Sequence, residues 1–129
     1  MQVRSASVQD VDDTIYRQFY SLNRRNSGYM RYVLKQMRAN SNPNLQNGEV
    51  HYIEENGKVL SWAITFHANN QNIIQIYTRH KERGKGLGRH LVNEVKPRYH
   101  DLRGHDDTRM FANLGMNPAR VWYGSLGVN

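Results

Sequence analysis

A chain of 129 residues has the size of one ordinary domain, expected to span residues 1–129 and able to bury a core without disulfides or a structural metal. The absence of cysteine excludes disulfides, thiolate metal sites and a cysteine acyl-enzyme, and fits a reducing cytoplasm. Eighteen Lys and Arg against eleven Asp and Glu leave a net charge of +7, which favours polyanionic partners such as nucleic acid or a phosphorylated cofactor.

No apolar run is long enough to span a membrane, and MQVRSASVQD lacks the apolar centre of a signal peptide, so the chain is expected to begin here and to work in the cytoplasm. Gln2 to Val8 alternates weakly and predicts a first strand. SVQDVDD then offers Asp10 as a helix cap, with further acids in the first turn. A helix from Val11 to about Leu22 places Ile15, Phe19 and Leu22 on one face, and NRRNSG breaks it. A second helix, Tyr29 to about Arg38, sets Tyr29, Tyr32, Val33, Gln36 and Met37 on one side, its aromatics read as core. Residues 39–48, ANSNPNLQNG, read as a loop.

Three runs with strand character follow: EVHYIEE, KVLSWAITFHA and NIIQIYTR. Asn56-Gly57 separates the first two and Asn69-Asn70 the last two, which predicts an antiparallel meander with tight turns. Gly86 to about Tyr99 carries Leu87, Leu91, Val92 and Val95 at helical spacing. DDTRMFANLGM predicts a short helix with Gly115 beyond its end, and ARVWYG a closing strand. The fold class is therefore α/β, a mixed, mainly antiparallel sheet with helices on both faces.

The positive charge is concentrated. From Arg79 to His90 five cationic residues face one acid, Glu82, so this segment holds +4 of the +7. RGKGLG behind a strand and ahead of a helix reads as a phosphate cradle, because a helix N-terminus offers unpaired amides and glycines let an anion approach the backbone. A Walker A loop does not fit, since Leu87 follows Gly86 where a Lys and a hydroxyl residue are needed. The dinucleotide fingerprint fails on spacing, with glycines at 84, 86 and 88, and on the antiparallel strands before it.

Arg83-x-x-Gly86-x-Gly88 is similar to the Arg/Gln-x-x-Gly-x-Gly/Ala signature of the GNAT superfamily of acyl-CoA-dependent N-acetyltransferases. IYTRHKERGKGLG resembles that family's strand, turn and helix without a gap, and MFANLGM resembles its late helix, which commonly reads FYEKLGF. The resemblance implies acetyl-CoA as cosubstrate and a fourth strand separating from the fifth, which opens Ile76, Tyr77 and Thr78 to the pantetheine arm. The diphosphate would lie on the amides of Arg83, Gly84, Lys85, Gly86, Leu87, Gly88 and Arg89, with Lys81 or Arg89 near the 3′-phosphate. It also implies transfer to an amine on a protein or small molecule, by direct attack in a ternary complex.

Two usual side chains are missing. Asn72 stands where many members carry a glutamate base, and Phe111 where the late-helix tyrosine is common. If Asn69-Asn70 is a two-residue turn, His67 lies opposite Asn72 and can substitute as base, with Tyr123 or Tyr99 as hydroxyl donor. The fifth strand is expected to be short and the closing hairpin truncated; the resemblance makes these elements the acceptor wall, which leaves a second copy of the chain, as a homodimer, to complete it. The six histidines show no metal-ligand spacing, and no metal is expected. Two other readings remain: a catalytically silent module of this fold that binds acyl-CoA, a protein or nucleic acid, and a basic nucleic-acid-binding protein unrelated to it. The last is not favoured, for aromatic residues do not interleave the basic run.

Overall fold

A computed structural model describes residues 1–22, 28–105 and 109–120. Its elements are β1 (Arg4–Ser7), α1 (Asp13–Leu22), α2 (Gly28–Ala39), β2 (Gln46–Glu55), β3 (Lys58–Ala68), β4 (Gln71–Thr78), α3 (Leu87–Val95), β5 (Arg103–Gly104) and α4 (Arg109–Asn113), with 3₁₀ turns at His80–Glu82 and Lys96–Arg98. The breaker after α1, Tyr123 and the end of the expected closing strand fall outside the described residues; Pro118 makes an isolated parallel bridge to Gly104. Among the described residues no helix is long and apolar enough to cross a membrane.

The strands form one sheet in the order β1-β2-β3-β4-β5, antiparallel except for the final pair. Both hairpins turn as their sequences require: Asn56 and Gly57 have φ of 54° and 80°, Asn69 and Asn70 of 52° and 58°. Two successive positive φ values give the turn whose twist matches the flanking strands. The β3–β4 turn fixes the register, with His67 opposite Asn72 and Ala63 opposite Ile76.

Alternation along the strands supplies a core to each face. On one side Val50, Trp62, Ile64, Phe66 and Ile73 pack with Ile15 and Phe19 of α1 and with Met30, Val33, Leu34 and Met37 of α2. On the other, Ile53, Leu60, Ala63 and Ile74 pack with Leu87, Leu91, Val92 and Val95 of α3 and Phe111 of α4. Two local expectations are corrected. The α1 cap is Asp12, whose Oδ1 accepts the Thr14 N–H at 2.8 Å, because the amides of Asp10 and Val11 both turn back to the Ser7 carbonyl. The buried face of α2 is its aliphatic row, and Tyr32 is 56% exposed, so it is not core. Helix α4 ends as its glycine foretells: Gly115 has φ of 73°, and the Gly115 and Met116 amides donate to the Ala112 and Phe111 carbonyls, a Schellman motif.

A polar chain crosses the α3 side. His51, wholly buried, bonds the Ser5 hydroxyl through Nδ1 at 2.7 Å and the Thr65 hydroxyl through Nε2 at 2.8 Å. Arg98 donates to Ser5 Oγ at 2.9 Å, and Thr65 Oγ1 lies 2.9 Å from the Tyr99 hydroxyl. A neutral ring carries one N–H, so it donates one of these two bonds and accepts the other from a hydroxyl. Burial first, then the Arg98 charge, lowers the His51 pKa to about 4. Above its ordinary value both folded and unfolded chains hold it neutral, and the network contributes in full. As pH falls through that value the unfolded chain takes up a proton that the folded chain refuses until about 4, so stability drops with falling pH. From pH 6 to pH 4.5 this one group is expected to remove about 2 kcal/mol. Urea unfolding across that range, with His51→Gln as the reference that lacks the titration, measures it; parallel pH profiles would count against the assignment.

Candidate active site

Pairing between β4 and β5 covers only Ile73 and Ile74. The His105 N–H donates to the Ile74 carbonyl at 2.8 Å, and among the described residues the β4–β5 pairing goes no further. Backbone groups alternate sides along a strand, so Ile76 and Thr78 share the side of Ile74 and present an open edge. Tyr77 is turned the other way: its carbonyl accepts from Ser61 Oγ at 3.3 Å. Of the three residues expected to meet a pantetheine arm with their backbone, two face the gap and Tyr77 offers its ring instead. The carbonyl of Thr78 is taken by Arg83 Nε at 3.0 Å, which straps the following loop to the strand.

That loop leads into α3 without a capping side chain. Gly84 and Gly86 have φ of 82° and 79°, and Gly86 is the N-cap. The first intrahelical bond runs from the His90 N–H to the Gly86 carbonyl, which leaves the amides of Leu87, Gly88 and Arg89 at the positive end of the helix dipole. A Cβ placed on Gly84 or Gly86 would meet nothing within 4 Å. Gly88 faces β4, where a Cβ would come into contact at 3.4 Å with both Ile76 Cδ1 and Thr78 Oγ1.

Together Thr78, Arg83, Gly84, Gly86, Gly88 and Arg89 line a cavity of about 260 Å³, joined by Glu82 and Met110. The Arg83 amide is engaged, donating to the His80 carbonyl at 3.3 Å. Lys85 is engaged too, its Nζ lying 2.7 Å from Glu82 Oε2, and that hydrogen bond holds the Glu82 carboxyl below its ordinary pKa. Arg89 borders the cavity, whereas Lys81 lines a different one on the opposite face of the sheet.

The side chains expected to move protons are arranged less favourably. His67 Nδ1 lies 3.0 Å from Asn72 Oδ1, and the Asn72 amide donates to the His100 carbonyl at 3.0 Å. This is the closed end of the β4–β5 pair. Four register positions separate His67 from the partner of Ile76, about 13 Å along the strand. Tyr99 is committed to Thr65, and burial raises its pKa. Phe111 is buried with its ring against Gly104 and has no proton to give.

An unpaired strand edge beside an uncapped, glycine-rich helix start is what the resemblance required, and the sequence pattern of the acetyltransferase (GNAT) family matches residues 10–127. The chain belongs to the GNAT family. A comparison with curated protein sequences found no match. Solved structures share the GNAT fold. An acyl-CoA N-acyltransferase from Pseudomonas aeruginosa is 13% identical, with 88% of this chain and 83% of that one covered and a TM-score of 0.61. The ribosomal-protein-S18-alanine N-acetyltransferase of Escherichia coli is 19% identical over 92% and 80%, with a TM-score of 0.57. A predicted acetyltransferase from Clostridium acetobutylicum, solved with acetyl-CoA, is 20% identical over 94% and 92%, with a TM-score of 0.51. At such identities the likeness concerns the fold.

GNAT membership makes the chain an acyltransferase by family, and its residues suit a coenzyme A diphosphate. The space at Gly84 and Gly86 is free of side chains, and the amides that border it carry no cap. What the sequence did not reveal is the second cavity, on the α1/α2 side, where Arg31, Lys58, Arg79, His80 and Lys81 converge. Only its last three members are neighbours in the chain.

Proposed function

We propose that this GNAT protein is an N-acetyltransferase that moves the acetyl group of acetyl-CoA to an amine by direct attack in a ternary complex. The observation that carries the reading is the open β4 edge at Ile76 beside the uncapped start of α3. Acetyl-CoA would supply a thioester carbonyl as the electrophile. The amides of Gly86, Leu87, Gly88 and Arg89 hold its diphosphate, and Ile76, with the N–H of Thr78, pairs with its amide-bearing arm as a neighbouring strand would. The Ile76 N–H also serves as a fixed donor for negative charge developing on a carbonyl oxygen at that edge.

An attacking amine must be neutral, and with a pKa of about 10.4 only about one in 2,500 is so at pH 7. His67 accepts the proton through intervening water, since the register sets it beyond direct reach of the Ile76 edge. Tyr123 remains a candidate donor to the leaving thiolate. A second reading, a silent module that binds acyl-CoA without turnover, is favoured by Asn72 and Phe111 at the positions where relatives commonly carry a base and an acid.

Calorimetric titration with acetyl-CoA, followed by thiol release over a panel of amines, tests the reading. Micromolar binding with turnover is expected, and His67→Ala should lower kcat about tenfold at unchanged cofactor affinity. Absence of binding at low salt refutes the proposal. Binding without turnover supports the silent module, and unchanged kcat in the variant removes His67.

A further inference from the structure

The cavity of about 800 Å³ on the α1/α2 side is lined by Ser21 and Leu22 at the end of α1, Arg31 of α2, Lys58 at the start of β3, Tyr77 and Arg79 around the end of β4, and His80 and Lys81. Four permanent cations and an imidazole thus face one space, and no carboxylate lines it among the described residues. Glu82, whose charge interacts with Lys58 and Arg79, is itself tied to Lys85.

Two of the four cations, Arg31 and Arg79, are held in place. The Arg31 guanidinium stacks over the Tyr20 ring at 4.1 Å, and its Nε is buried without a hydrogen-bond partner among the described residues. Arg79 Nε donates to the Val59 carbonyl at 3.0 Å, while its amide bonds the Leu60 carbonyl. Holding like charges around a cavity costs repulsion that a bound anion relieves.

Strand alternation fixes where this space lies. Thr78 points to the glycine cavity on the α3 side, and Tyr77, one residue earlier, lines the cationic cavity on the other. The two cavities therefore flank the same open edge from opposite faces of the sheet. Donor phosphates on one side leave the other for the acceptor, and its volume suits a small molecule.

We propose that the acceptor is a small primary amine that also bears an anionic group, phosphate or carboxylate, gripped by Arg31, Lys58, Arg79 and Lys81 so that its amine points to the β4 edge. The proposal rests on the acetyltransferase reading. It also predicts discrimination against diamines and other polycations, whose second ammonium the same field repels.

Amide-resolved NMR on the whole chain saturated with coenzyme A, which fills the glycine cavity, can test it with four probes: O-phosphoethanolamine, β-alanine, ethanolamine and ethylenediamine. One or both anionic amines should shift the Tyr77 and Lys58 amides, at affinities about tenfold above the other two, and the stronger arm names the anion. Arg31→Gln and, separately, exposed Lys58→Gln should each weaken that binding severalfold at unchanged coenzyme A affinity. Equal or tighter binding of ethylenediamine, or no shift at Tyr77 and Lys58, overturns the proposal. So does a loss of coenzyme A affinity in both variants, which would make the cavity a cofactor subsite. If coenzyme A itself fails to bind, the acetyltransferase reading falls, and the phosphoethanolamine titration of the free chain still decides whether the cavity takes an anionic amine.

Discussion

Gly86→Asp is expected to weaken acetyl-CoA binding about a hundredfold, or about 2.7 kcal/mol, while leaving the fold within about 1 kcal/mol of the parent. The two effects separate because the position is open. A Cβ there meets nothing within 4 Å, and aspartate is among the L residues that best tolerate a φ of 79°. Its carboxylate also sits at the positive end of the α3 dipole, which offsets part of the backbone strain. The same carboxylate projects into the space where a diphosphate would lie and sets like charge against like charge. Gly86→Ala is the control: it brings strain and a methyl group without charge, and a loss of severalfold is expected. Calorimetry for affinity and thermal unfolding for stability measure the pair. Full affinity in the aspartate variant would mean that the α3 N-terminus does not hold the phosphates.

How much of this could be read from the chain depends on the range of the interaction that decides each feature. Asn56-Gly57 and Asn69-Asn70 announce their turns because positive φ at two adjacent residues is a local demand. That turn chemistry is enough to set His67 opposite Asn72. Gly84 and Gly86 are legible for the same reason, whereas the contact of Gly88 with β4 depends on how α3 packs and was read only as part of the phosphate cradle. The facing of α2 was not, since Tyr32 and Met30 both sit on plausible apolar stripes and only packing against the sheet selects between them. Nor was His51: Ser5 stands directly opposite it across the β1–β2 pair, and Thr65 reaches it from β3, so both partners arise from sheet register. The cationic cavity is the extreme case. Arg31, Lys58 and Arg79 come from three segments, and each alone reads as an ordinary surface charge until the sheet brings them together.

Gly104→Ala is expected to cost about 3 kcal/mol and to lower Tm by roughly 10 °C, although the change adds one methyl group. Gly104 is the β5 residue paired with Ile74, where β4 and β5 hold together before they part. Its amide donates to the Asn117 carbonyl at 3.0 Å and its carbonyl accepts the Ala119 amide at 2.7 Å, so the backbone is tied on both sides and cannot retreat freely. A Cβ would lie 2.7 Å from Phe111 Cγ and 3.0 Å from Cε2, with Cδ2 nearer still. The obstacle is the body of a ring that is itself 3% exposed and packed with Ile74 and Leu91, not the tip of a flexible chain. Phe111 therefore has a structural duty: its ring fills the space over the glycine and anchors α4 to the strand beside the gap. Relief should come from the ring. Phe111→Leu alone is expected to destabilise by leaving a void, yet in the Gly104→Ala background it should cost at least 1 kcal/mol less, a coupling read from a double-mutant cycle in urea. Additive effects would mean that the strain is carried by the β5 backbone and that Phe111 does not define the closed end of the cleft.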